Sequence, residues 1–225
     1  MDSPHDAFVT RHRDRDKKRL AVLNAAAELF LSGGYHRTHL NDVAEVLNIT
    51  KPALYNYFRS KHEILFACHM LGHDIIERSI EEIETGGGNG LFQLRALIRA
   101  YAGIMMQKFG MCLVLLDVHE LPLKDQKTVT RRRRLVNDRF ERFTRRGIDD
   151  GSIRPCNVRL TAFSIAGSLN WISRWYKSGR TYGSDQIADY FAEDLTRGLA
   201  VSAVSMDKMP AAAKGQARPV RQRRA

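Results

Sequence analysis

Apolar positions recur at helical spacing along the chain. From Lys17 to Ser32 the stripe is Leu23, Ala26, Ala27 and Phe30, and Gly33-Gly34 closes it. Thr38 then stands as a cap before Leu40, Val43, Ala44 and Leu47, a short amphipathic helix. Asn48 and Ile49 interrupt it, and Thr50 caps a further short helix with Pro52 in its first turn, where proline's missing donor costs nothing. Ser60-Lys61-His62-Glu63 is a capping box that opens a long helix through Ile64, Leu65, Cys68, Leu71, Ile75, Ile76, Ile80 and Ile83. Residues 86–90, Gly-Gly-Gly-Asn-Gly, break it. Leu94, Ile98, Tyr101, Met105 and Phe109 mark one side of the next helix, and the apolar run Met111 to Leu116 leads to Pro122. Leu123 to Asp150 reads as a long charged helix with sparse apolar positions, ending at Gly151. Asn157 can cap a helix that is apolar nearly all round, and Ser184 a last one with Ile187, Ala188, Tyr190, Phe191, Leu195 and Leu199. The pattern predicts an all-α chain of about nine helices.

Residues 38–61 carry the sharpest signal. Two short helices and a tight turn read as a helix-turn-helix. Leu54 and Phe58 lie one turn apart and face inward with Leu40, Val43 and Leu47, so Pro52, Ala53, Asn56 and Tyr57 point the other way. A proline, a methyl, an amide and a phenol suit base edges and thymine methyls in a major groove, with Lys51 and Tyr55 on the border of that face.

Thr38, the Leu47 to Ile49 turn, the run Lys51-Pro52-Ala53-Leu54-Tyr55-Asn56-Tyr57-Phe58, and Lys61 together resemble the DNA-reading signature of the Tet-repressor-like (TetR) family. The motif extends from Leu20 to Leu71, and beyond it only the helical pattern is shared. The resemblance implies an N-terminal three-helix domain that binds operator DNA and a variable C-terminal domain that dimerises and senses a small molecule. On that basis Lys51, Pro52, Ala53, Asn56 and Tyr57 face the bases, while Thr38, Tyr55 and Lys61 orient the head through phosphates. The ligand would sit among the helices beginning at Leu91, Leu123 and Asn157, lined by Met105, Met106, Phe109, Met111, Phe163, Trp171 and Trp175. Residues 171–179, Trp-Ile-Ser-Arg-Trp-Tyr-Lys-Ser-Gly, are similar to a stretch in family members that respond to acyl-CoA thioesters. An aromatic or lipophilic compound without CoA is the other reading of the effector.

The chain divides accordingly into a flexible leader (1–16), a helix-turn-helix domain (17–62), a ligand-binding and dimerisation domain (63–205) and a disordered basic tail (206–225). The leader reads as a solvated tail, or as an arm whose arginines enter a minor groove. No linker separates the helix-turn-helix from the long helix that follows, so that helix can carry a shift in the second domain to the DNA. The two late helices have more apolar surface than one small domain needs, which points to a two-fold homodimer built as a four-helix bundle through Ile165, Leu169, Ile172, Tyr190, Phe191 and Leu195.

Charge alters the picture little. The net charge of +11 over 225 residues favours polyanionic partners, but residues 208–224 supply six of the basic side chains with no acidic one. Arg131 to Arg134 spread around a helix rather than forming one clamp, and read as a solvated face; lining a site, they would suit an anionic ligand.

Cys68, Cys112 and Cys156 suggest neither a disulfide framework nor a zinc knuckle. His69 and His73 have the spacing of a metal pair, but two histidines on an ordinary helix read as surface residues, and neither metal nor cofactor is expected. The longest uncharged stretch, Leu160 to Ser173, has 14 residues, short of the roughly 20 a membrane span needs. With no secretory leader, the expectation is a cytoplasmic protein with no membrane partner.

No catalytic constellation appears, so an enzyme is not expected. The reading is a homodimeric repressor that binds a palindromic operator in double-stranded DNA and is released by a small apolar or acyl-CoA-type effector. An architectural DNA binder and an activator are the alternatives.

Overall fold

The computed structural model describes the backbone of residues 4–179 and 181–201, and the side chains among them from residue 14 onward. The basic tail expected at 206–225 lies outside these residues. Among the described residues nine α-helices follow in order: α1 (Pro4–Gly33), α2 (Leu40–Val46), α3 (Lys51–Tyr55), α4 (Lys61–Thr85), α5 (Gly90–Met105), α6 (Lys108–Leu115), α7 (Leu123–Asp149), α8 (Val158–Trp175) and α9 (Ser184–Arg197), with a 3-10 turn at Val118–Glu120. The all-α architecture expected from the periodicity is the one found.

The helix ends show how local chemistry sets the elements. Thr50 Oγ1 accepts from the Ala53 amide, Asn89 Oδ1 from Phe92 and Asn157 Oδ1 from Leu160, each relieving a first-turn donor. At α4 the box is offset by one residue: Ser60 Oγ accepts from the Glu63 amide, while Glu63 reaches back to Arg59 N rather than to Ser60. Gly183, not Ser184, is the N-cap of α9.

Two expectations change here. Of the residues read as a flexible leader, 4–16 belong to α1, whose backbone is helical from Pro4. Proline is tolerated in a first turn, and nothing between Pro4 and Lys17 breaks a helix, so alternating charges that suggested a solvated tail also suit a solvated helix. Thr38 is not the cap of α2. His39 takes that place, its amide donating to Asp42, and Thr38 is buried at 4% exposure with its hydroxyl donating to the carbonyls of Leu29 and Gly34.

The buried apolar side chains form two clusters. One joins α1–α3 to the first turns of α4, and then continues into Cys112 and Leu116 at α6, Val118 and Leu121 in the following turn, and Val129 of α7. The other fills the space between α4, α5, α7, α8 and α9 around Leu97, Ile98, Met105, Phe140, Leu169 and Ile172. The N-terminal helices α1–α3 therefore share a core with α6 as well as with α4. Gly72 makes this possible, since a Cβ there would lie 2.7 Å from the Phe109 carbonyl oxygen and 2.9 Å from Leu113 Cγ, and its absence lets α6 lie against α4. The Cys68 and Cys112 thiols meet in this seam, and their hydrogen bond, with burial, holds the Cys68 thiol well above its usual range.

Candidate nucleic-acid interface and effector cavity

Asn48, with φ of 50°, reverses the chain after α2, and the Ile49 amide returns to the Ala44 carbonyl. This turn sets α3 across α2. Leu54 and Phe58 are fully buried beneath it. On the other face Lys51, Pro52, Tyr55 and Asn56 are exposed, and Ala53 and Tyr57 are half-buried. The structure thus brings six of the eight DNA-reading candidates onto one accessible surface.

The other two, Thr38 and Lys61, face inward. Lys61 Nζ donates to the carbonyls of Tyr35 at 2.7 Å, Thr38 at 3.1 Å and His36 at 3.4 Å, and lies 4.2 Å from the Tyr35 ring centroid. An ammonium has three donors, and all three are taken. Lys61 pins the α1–α2 turn to α4, so the phosphate role expected for it and for Thr38 does not fit.

Arg19, which the sequence reading passed over, performs a similar task at the other side of α3. Its guanidinium lies 4.3 Å above the Phe58 ring and donates to the Tyr57 carbonyl. Every residue from Asp14 to Leu20 on this part of α1 is exposed.

Behind the head, a cavity of about 940 Å3 opens between α4, α5, α6, α7 and α8. Its walls differ from the expected apolar lining. Phe163 is there; Met105 is sealed in the second core, Phe109 packs into the first, and Trp171 and Trp175 are on the outer surface. Instead the cavity is lined by His73, Tyr101, Arg133, Arg134, Arg159 and Asn170, with the carboxylates Asp138 and Glu141, beside Leu113, Val114, Val136 and Phe140. Tyr101 Oη donates to Asn170 Oδ1 at 2.8 Å, and burial pushes its phenol up to about 12.

The four-arginine run divides by helical position. Arg132 pairs with Asp74 and Glu77 of α4, and further along α7 Arg139 and Arg142 pair with Glu84. Arg133 turns the other way, donating to the Leu113 carbonyl at 2.8 Å. The solvated face expected for the run is found at Arg131, Arg133 and Arg134, all exposed, while Arg132 is half-buried in its ion pairs. His69 and His73 are buried rather than superficial, and among the described residues none of their ring nitrogens has a hydrogen-bond partner. Burial, with Arg133 adding, lowers His69 to about 3 and His73 to about 4.

The outer face of the late helices also corrects the expectation. Ile165, Leu169 and Ile172 are packed into the core of their own subunit, and Phe191 and Leu195 are half-buried against it. The apolar surface that α8 and α9 present is Leu160 at 63% exposure, Phe163, Trp171 at 61%, Trp175 and Tyr190 at 66%. On a helix apolar nearly all round, composition does not reveal which stripe meets its own core.

Among the described residues, no helix is long and apolar enough to cross a membrane, and no three metal-ligating side chains converge.

Comparison with known proteins joins the two halves. Residues 22–68 match the family described as "Bacterial regulatory proteins, tetR family", and residues 87–199 match "Tetracyclin repressor-like, C-terminal domain". The HTH-type transcriptional repressor KstR2 of Rhodococcus jostii is 26% identical over 81% of this chain and 91% of its own. The HTH-type transcriptional activator FasR of Mycolicibacterium smegmatis is 30% identical over 39% of this chain and 40% of its own length, so this chain spans under half of that relative. The solved structure of AibR in complex with isovaleryl coenzyme A and operator DNA is 26% identical, with a TM-score of 0.69 over 78% of this chain and 96% of that one. With its reading head, its helical second domain and matches across both, the chain belongs to the TetR family of bacterial transcriptional regulators.

Proposed function

We propose that the protein is a homodimeric, effector-released repressor of a pseudo-palindromic operator, acting in the cytoplasm as a regulator rather than an enzyme. The observation that carries this is the accessible face at α3, where Lys51, Pro52, Tyr55 and Asn56 are exposed and Ala53 and Tyr57 are half-buried beside them. Asn56 reads an adenine edge, Ala53 and Pro52 meet thymine methyls, and Lys51 and Tyr55 contact the flanking bases and phosphates.

Two copies join through Leu160, Phe163, Trp171, Trp175 and Tyr190, a stripe too large and too apolar to be left in water. The two-fold axis sets the heads one helical turn apart on the duplex. The effector is an acyl thioester or a related amphipathic anion. Support comes from the unpaired arginines of the cavity and from the acyl-CoA bound by AibR.

Selection from a random-sequence duplex library tests this. A two-fold symmetric site, bound by one dimer and released on addition of an acyl-CoA, is the expected result. Recovery of no preferred sequence would leave an architectural DNA binder instead.

A further inference from the structure

Among the described residues His73 has no hydrogen-bond partner, and three arginines of the cavity have no carboxylate partner. His73 is 3% exposed, lines the cavity, and has neither ring nitrogen bonded. A buried imidazole without partners destabilises the chain, and a leucine of similar bulk would not. Among the described residues Arg133, Arg134 and Arg159 make no ion pair, although α4 supplies Asp74, Glu77 and Glu84 to their neighbours Arg132, Arg139 and Arg142.

Depth orders these groups. His73 lies at the floor, on α4. Tyr101 and Asn170 come next and occupy one another. Arg134 and Arg159 are exposed at the rim, where the Arg159 guanidinium lies 5.6 Å over the Phe163 ring. Arg133 is exposed as well, its hydrogen bond going to a main-chain carbonyl. A site polar at both ends with Val114, Val136 and Phe140 between them fits a molecule with a neutral acceptor at one end, an apolar stretch and an anion at the other.

We propose that His73 reads the effector's acyl carbonyl, donating a ring N–H to its oxygen, while Arg133, Arg134 and Arg159 hold the anionic head of the same molecule nearer the rim. The assignment rests on the effector reading above. It fixes the orientation, with the acyl end inward and the charge outward, and it places a ligand contact on the helix whose first turn carries Lys61 and the reading head. The imidazole stays neutral at physiological pH because burial disfavours its charged form, so at that pH it offers one donor and one acceptor.

Calorimetric titration of the full chain with isovaleryl-CoA, octanoyl-CoA, free CoA and the corresponding free acids tests the assignment, with thermal melting alongside. His73→Leu should weaken binding of the acyl compounds about tenfold, the loss expected when a buried carbonyl has no donor. The same variant should melt about 2–4 °C higher without ligand, since it removes an unpartnered polar group. His73→Gln, which keeps a donor, should retain most of the affinity. Arg134→Gln with Arg159→Gln should weaken thioesters and free CoA alike.

Opposite movement of stability and affinity in His73→Leu is what a structural role would not produce. Wild-type binding that is unchanged in His73→Leu, or equal loss in His73→Leu and His73→Gln, overturns the assignment alone. A wild-type chain that binds none of these compounds overturns the effector reading and the assignment with it.

Discussion

Acidification from pH 7.5 to pH 5 should cost the fold much of its stability, through two buried histidines of α4. In the unfolded chain His69 and His73 titrate near 6.5, while in the folded chain burial holds them at about 3 and about 4. Arg133 faces both from α7, Arg132 faces His73, and the two imidazoles face one another along α4.

Both folded values are depressed, so the unfolded chain binds protons that the folded one refuses. The contribution is fully present above pH 6.5 and is lost as pH falls through 6.5 toward the folded values. By pH 5 each histidine has lost about 1.5 × 1.36, or about 2 kcal/mol, and the pair about 4 kcal/mol. Against a typical total of about 5–15 kcal/mol that is a large share. The carboxyls held below their usual range, Asp117 by its hydrogen bonds from His119 and Asp150 by those from Ser152 and Gly90, titrate in a lower window, their contribution lost only as pH falls below about 3.8.

Urea unfolding at the two pH values and constant ionic strength measures the loss. The double variant His69→Leu with His73→Leu should flatten the profile by about 4 kcal/mol over this interval. An equally steep profile in the variant would refute the reasoning.

Other perturbations separate the roles assigned to the head, the seam and the outer face. Lys61→Met should lower stability by about 1–3 kcal/mol in urea unfolding, by stranding three carbonyls, yet leave the slope of operator affinity against salt unchanged. Lys51→Ala should make that slope shallower by about one, and Asn56→Ala should relax preference at a single base pair in competition binding. Trp171→Asp should yield folded monomers in sedimentation, whereas Ile165→Asp, which places a charge in the core, should give little folded protein of any size. Gly72→Ala should push α6 off α4 and cost about 1–3 kcal/mol of stability, read in the same urea titrations.

What the sequence made legible follows the strength of each local pattern. Leu54 and Phe58 at i and i+4 behind a Thr-x-Pro start decide which way α3 faces, so its exposed face could be placed almost residue by residue. Thr38 could not, because a threonine ahead of an apolar stripe looks like a cap whether its hydroxyl turns to α2 or, as here, to the carbonyls of Leu29 and Gly34. On α8 the sequence shows apolar residues on nearly every side, and only the packing of α5 to α7 decides that Ile165 and Leu169 are inside while Leu160 and Trp171 are outside. The histidine pair and the arginine run stood out in the sequence, yet which of them meets a cavity depends on contacts across about 60 positions of chain, such as Arg132 with Asp74.

The same arginine run offers a way for the cavity to reach the head. Arg133 Nη2 donates to the Leu113 carbonyl near the end of α6. At the opposite end of that short helix Lys108 pairs with Glu28 and donates to the Asn24 carbonyl of α1, and between them Cys112 enters the core that α6 shares with α1, α3 and α4. An anion arriving in the cavity presents Arg133 with a charged acceptor, and such bonds are about twice as strong as one to a neutral carbonyl. It competes for the guanidinium, and α6 loses a tether on the side away from the head. Arg133→Gln should therefore leave acyl-CoA binding largely to Arg134 and Arg159 while reducing its effect on operator affinity from the 5 to 150-fold typical of allosteric proteins toward none. Fluorescence anisotropy with labelled operator, with and without isovaleryl-CoA at saturation, measures that ratio directly. Full release of the operator by a saturated Arg133→Gln protein would show that the signal leaves the cavity by α4 alone.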